Sequence, residues 1–209
     1  MIDLNTKKLK SLIKDLNSQK IDKQITAIEE IEQIIEFLVV KVVGTLEKSN
    51  DPFFVAQRLS CFGSIAVAPL EKLLTKSKKP EVSNLAALVL LGLGERSGVP
   101  RLLKVINKKE KYAYLAAKNL AAEGIRESIQ PIVSLLRECN TEKVEEIITL
   151  LESLDDLDFK VPLDIYNRLN EPQVPWRIKF VLWNINNKEN GYCNIDEYEK
   201  FKELFSRRV

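Results

Sequence analysis

Imidazole chemistry is closed to this chain, because none of its 209 residues is histidine. That excludes Ser-His-Asp and Cys-His nucleophilic catalysis, His-ligated zinc and an imidazole general base. A catalytic centre would have to come from carboxylates, Lys, Tyr or Cys. Cys61, Cys139 and Cys193 are far apart with no CxxC pair, which is no disulfide framework and fits a reducing compartment. Cys61 is expected as a small packed residue, and Cys193 as an exposed thiol that nothing nearby activates. Four carboxylates gather at Glu152, Asp155, Asp156 and Asp158. Such a set could hold Mg²⁺, but no GxxxxGK or GxGxxG accompanies it, and an acidic helix end and turn is the expectation. No catalytic residue, metal site or cofactor is assigned.

Two further motifs carry possible chemistry. The segment 186–197 has the outline of an EF-hand loop, with Gly191 at the turn position and Glu197 at the bidentate position. Asn186 and Lys188 occupy the first and third ligand positions, and an ammonium there repels Ca²⁺. An Asn-Gly turn is the expectation. Lysines crowd two turns: Lys76, Lys78 and Lys79, then Lys108, Lys109 and Lys111. Lined up on one edge, they could meet phosphates or an acidic protein patch, or simply form a solvated rim. The formal net charge of +2 hides an asymmetry: residues 67–128 carry net +6 and residues 129–171 net −6.

The elements that position these residues follow from periodicity. Hydrophobic residues make up 45% of the chain and charged ones 30%, ample for a core. The longest apolar run, Leu85 to Leu93, is too short to span a bilayer. Met1 to Lys20 reads as a lysine-rich polar helix with no signal peptide. A cytoplasmic protein without membrane contact is expected. Pro69, Pro100, Pro131 and Pro162 recur every 31 residues. Each leads an apolar helical pattern, and proline in a first helical turn loses no hydrogen bond. Polar turns follow at Lys76 to Pro80, Asn107 to Lys111, Glu138 to Glu142 and Asn170 to Pro172. Second helices then run to Gly63, Gly94 and Gly124, each seven residues after an Ala, where glycine serves a left-handed stop. In the fourth unit Asp155 stands in the glycine column, and the fifth runs from Val161 to about Asn187. Neither helix of a pair buries its apolar face alone, so stacked neighbours must. At the front, Ile21 to Lys48 predicts one long helix or two, with Ile21, Ile25, Ile28, Ile31, Ile35 and Leu38 spaced by threes and fours.

The stretch Ala66-Val67-Ala68-Pro69-Leu70, through Pro80-Glu81-Val82 to Gly94, resembles a HEAT repeat of the short 30–31-residue form found in phycobilin lyases and bacterial scaffold proteins. The resemblance covers roughly residues 36–187. It implies an all-α superhelix, a HEAT-like solenoid of about five helix pairs. That is one domain over 1–209, with capping helices at 1–35, repeats at 36–187 and a closing loop and helix at 188–209. The family usually places an arginine early in the second helix, but Ser83 and Ala113 stand there, which puts its polar ladder in doubt.

In such arrays the second helices line the concave face. Aligned on the glycines, they give the columns Phe53, Asn84, Tyr114, Glu145, Trp176 and Gln57, Leu88, Lys118, Thr149, Phe180. A third column of short side chains reads Cys61, Gly92, Ala122, Ser153, Asn184. Tyr and Trp are favoured anchors at binding surfaces, though Phe53 and Trp176 could instead plug the core. The expected function is a non-catalytic scaffold holding a partner protein, as a helix or peptide, against Phe53, Gln57, Asn84, Leu88, Tyr114, Lys118 and Trp176. The resemblance also implies an enzyme-class rival, a phycobilin lyase or lyase-associated chaperone. Nucleic-acid binding along the lysine edge is a third possibility.

Overall fold

The computed structural model describes residues 6–186. All regular structure among them is helical. The order is α1 (Thr6–Leu16), α2 (Ile21–Thr45), α3 (Pro52–Leu59), α4 (Val67–Lys76), α5 (Pro80–Gly92), α6 (Val99–Asn107), α7 (Ala113–Ala122), α8 (Ile129–Glu138), α9 (Val144–Asp156), α10 (Leu163–Leu169) and α11 (Trp176–Asn186). Short 3₁₀ segments precede α4, α6 and α8. Apart from Asn186, the EF-hand-like loop at 186–197 lies outside the described residues, as do Cys193 and the closing helix expected within 188–209.

The helix starts follow the proline rule. Pro69, Pro100 and Pro131 lie in the first turns of α4, α6 and α8, and Pro162 immediately precedes α10. The stops at Gly94 (φ 85°) and Gly124 (φ 67°) follow the glycine rule, whereas α3 ends already at Leu59 and Gly63 (φ 58°, ψ −143°) kinks the 3₁₀ segment beyond it. At Gly94 the stop is closed by Gly94 N–H donating to the Leu91 carbonyl and Glu95 N–H to that of Leu90. Gly124 and Ile125 repeat the pattern on Ala121 and Leu120. These bonds satisfy carbonyls that the last helical turn leaves without partners.

The fourth unit corrects the sequence alignment. Asp155 is helical within α9, and the left-handed stop falls three residues later, at Asp158 (φ 50°). There Phe159 N–H donates to the Leu154 carbonyl, as Glu95 does to Leu90. Aspartate tolerates this backbone conformation better than most side chains, so α9 extends past the position where glycine ends α5 and α7.

Two compact units divide the chain, Met1–Gly98 and Val99–Val209. In the first, α1 packs on the front half of α2, where Leu12 and Leu16 meet Ala27, Ile31 and Ile34. The rear half of α2 carries buried Val39 and Val43, and α2 contacts α3 and α4. α5 packs against α3 and α4 and is buried from Val82 to Leu91. Gly98 approaches α5 so closely that a Cβ would lie 2.6 Å from the Ala87 carbonyl oxygen. In the second unit, α6 packs on α7 and α8, and α8 on α9. α7 lies on α9, and α9 on α11. First helices thus neighbour first helices, and second helices neighbour second.

By length and composition, Pro52–Lys76 is apolar enough to cross a membrane, with a mean hydropathy of 1.4 over its best window. It is not one continuous helix. Gly63 takes φ 58° and ψ −143° in the middle. The eight residues of α3 and ten of α4 span about 12 and 15 Å, well short of the ~30 Å hydrocarbon thickness.

Candidate functional site: the face of the second helices

In the second unit, three members of the first sequence column lie in the opening turns of α7, α9 and α11. These are Tyr114, Glu145 and Trp176. α9 lies against both α7 and α11, so its first turn stands between the two aromatics. Glu145 forms an ion pair with Arg177, the residue after Trp176. Trp176 is 43% exposed. Lys118, one turn further along α7, is exposed, and Phe180 on α11 is half-buried.

Tyr114 is half-buried and anchored. Its hydroxyl is 3.7 Å from the Cys139 sulfur, and the Lys143 ammonium lies 5.8 Å from its ring centroid, within cation–π range. Lys143 also pairs with Glu146 at 3.0 Å. Burial, followed by the contact with Cys139, pushes the Tyr114 hydroxyl well above the ordinary tyrosine range. Burial likewise pushes the Cys139 thiol up. Both groups are held protonated at neutral pH, so neither is a poised base or thiolate nucleophile. The arrangement is an aromatic and ionic row suited to contact.

The first unit places its column members differently. Phe53 is half-buried and Gln57 exposed on α3, whose N-terminus is capped by Asp51 accepting from Phe54 N–H at 3.0 Å. Asn84 is 1% exposed and Leu88 8%, so neither offers a surface to a partner. α5 has no polar face, and a helix apolar all round is buried all round. The short-chain column is also split: Cys61, Gly92 and Ala122 are exposed, while Ser153 is buried. Cys61 is therefore not the packed cysteine; Cys139 is.

The lysine turns are partly occupied. Lys79 donates to the Glu47 carbonyl at 2.6 Å, Lys109 pairs with Glu138, and Lys111 lies 5.1 Å from the Tyr112 ring centroid. Lys109 and Tyr112 both take positive φ, 51° and 76°, so this turn is shaped by backbone demands. Lys76, Lys78 and Lys108 are exposed. The carboxylates Glu152, Asp155, Asp156 and Asp158 do not converge: no three His, Cys, Asp or Glu among the described residues could hold a metal together.

Polar links join successive helix pairs. Arg168 on α10 donates to the Leu136 and Cys139 carbonyls at the end of α8, at 2.5 and 2.9 Å. Arg137 pairs with Asp164, which holds that carboxyl below its usual range. In the first unit Lys79, in the turn after α4, donates to the Glu47 carbonyl beyond the end of α2. Sequence reasoning also missed a cleft of about 460 Å³ between α2 and α4, lined by Val40, Val43, Pro69, Leu73 and Lys76. Gly44, which leaves the helix wall open there, was its one visible signal.

No family model, curated protein or solved structure matches this chain.

Proposed function

We propose that each unit is a stack of HEAT-like helix pairs, and that the chain is a binding scaffold that docks a partner protein on the second-helix face. The observation that carries this reading is the row in the second unit, where Trp176 stays exposed beside the Glu145–Arg177 pair in line with Tyr114. Exposed tryptophan next to a fixed ion pair is the composition of an interface anchor. The bonds of Arg168 and of Lys79 each tie a helix pair to the carbonyl end of the pair before it, which supports the stacked-pair reading.

Site-specific photo-crosslinking tests the proposal. A photoreactive side chain is placed at Lys118 or Trp176, and for comparison at Ser134, an exposed residue of the first helix α8. A defined partner should crosslink from positions 118 and 176 and not from 134. Equal capture from all three, or loss-free binding by Trp176→Ala, would remove the second-helix face from the reading.

A further inference from the structure

The front of the first unit carries an apolar surface that no described helix of that unit covers. α2 is 25 residues long, about 37 Å, whereas α4 has ten residues. Only the rear half of α2 carries the buried Val39, Val43 and following Leu46. At 100° per residue, Ile21, Ile25, Ile28 and Ile35 lie on the same side of the helix as those three, continuing the stripe toward the N-terminus. All four are exposed, Ile21 at 70%. α1 does not cover them, since it packs on a different face made of Ala27, Ile31 and Ile34.

The two ion pairs of the hairpin fix which side is which. Lys8 pairs with Glu30 and Lys23 with Asp15, and these lie on the side of the α1–α2 seam away from the isoleucine stripe. On the opposite side of that seam the helical wheel of α1 places Leu9 and Ile13, both exposed, Ile13 at 57%. Six large apolar side chains therefore share one face of the hairpin. Exposed Glu32 lies among them, one turn from both Ile28 and Ile35, so the face is apolar with one carboxylate set into it toward its acidic flank. Exposed apolar surface on this scale marks an interaction site.

The flanks of this face differ in sign. Beyond Ile13 on α1 come Lys10 and Lys14; beyond the stripe on α2 come Asp22, Glu29 and Glu36, all exposed. When two copies meet face to face about a two-fold axis parallel to α2, the basic flank of each lies on the acidic flank of the other. With the axis perpendicular to α2, like flanks would meet. We infer that this face binds a second copy of the chain in a parallel, two-fold arrangement, with the isoleucines at its centre and the charged flanks setting its direction.

Sedimentation of the full chain from about 1 to about 200 μM, at low and high salt, tests this. The expected result is a concentration-dependent dimer that weakens with salt. Ile28→Lys, at an exposed position, should weaken it at least tenfold without loss of helical circular dichroism. Lys10→Glu/Lys14→Glu alone, and Glu29→Lys/Glu36→Lys alone, should each weaken it, and an equimolar mixture of the two should restore it to wild-type strength. A chain that stays monomeric throughout, or a dimer indifferent to Ile28→Lys, overturns the proposal. A mixture stronger than wild type, with each charge variant alone unchanged, would mean the antiparallel arrangement and overturns the parallel one.

Discussion

Arg168 links two helix pairs through two bonds, and its removal can be reckoned from them. The guanidinium donates to the Leu136 carbonyl at 2.5 Å and to the Cys139 carbonyl at 2.9 Å. Both lie at the C-terminus of α8, where the Leu136 carbonyl otherwise accepts only a long 3.4 Å bond from Cys139 N–H and the helix dipole is negative. Arg168→Met keeps most of the stem but removes both bonds and the charge. Hydrogen bonds to a charged group contribute about 1.5–3 kcal/mol each, and a cation at a helix end adds about 0.3–1 kcal/mol. Arg168 is only half-buried, so water recovers part of this, and the net loss should be about 2–4 kcal/mol. The two tryptophans of the chain, Trp176 and Trp183, both lie in α11 of the same unit. Urea unfolding followed by tryptophan fluorescence therefore reads that unit directly. Arg168→Lys restores the charge without the two-pronged geometry and should recover about half. A Met variant within about 0.5 kcal/mol of wild type, or a Lys variant no better than Met, would refute the assignment of Arg168 as the cap of α8.

Five other substitutions have signed outcomes. Lys179 is 4% exposed and donates to the Pro172 carbonyl at 3.2 Å, and burial holds its pKa below 10.5. The unfolded chain then binds that proton more tightly, so stability should rise with pH between the folded value and 10.5. Lys179→Met should abolish that contribution in melting curves recorded across the window. Asp158→Gly relieves a left-handed residue of its Cβ and should stabilise the second unit by about 1 kcal/mol, whereas Gly94→Ala should cost the first unit about as much, both read by urea titration. Gly98→Ala drives a methyl against the Ala87 carbonyl and should cost about 1–3 kcal/mol by thermal melting. Gly92→Ala, with nothing near its added carbon, should be neutral or stabilising by up to about 1 kcal/mol.

The repeat was legible because its punctuation is chemical. Proline at Pro69, Pro100 and Pro131 and glycine at Gly94 and Gly124 occupy positions where backbone geometry leaves few alternatives, so their spacing carried over to helix starts and stops. Gly63 keeps its positive φ but falls in a 3₁₀ segment after α3 has ended. Where another residue type could meet the same demand, the reading slipped: Asp158 replaces glycine at a left-handed stop, and α9 runs three residues past its assigned end. Exposure was less legible than position. Asn84 and Tyr114 share a column, yet Asn84 is buried and Tyr114 is not fully so. Burial depends on which neighbours cover a helix, and column alignment contains no information on that. The inter-pair links escaped for a related reason. Arg168 and Lys79 bind backbone carbonyls, and an acceptor that every residue carries leaves no mark in the sequence.

α2 shows how a correct periodicity can lead to the wrong core. Its isoleucines at threes and fours do define a helix, and the helix is unbroken. A single amphipathic helix has one apolar stripe facing the core, so those isoleucines would be assigned inward. α2 instead carries two. Ala27 and Ile34 face α1, while Ile21, Ile25, Ile28 and Ile35 continue the stripe that Val39 and Val43 bury further along. A helix in a stack of pairs needs one face for its partner and another for the neighbouring pair. The second face of α2 meets such a neighbour only over its rear half. The exposed isoleucines thus continue the face of α2 that is buried further along, and in the dimer inferred above a second copy presenting the same surface is a chemically matched cover for it.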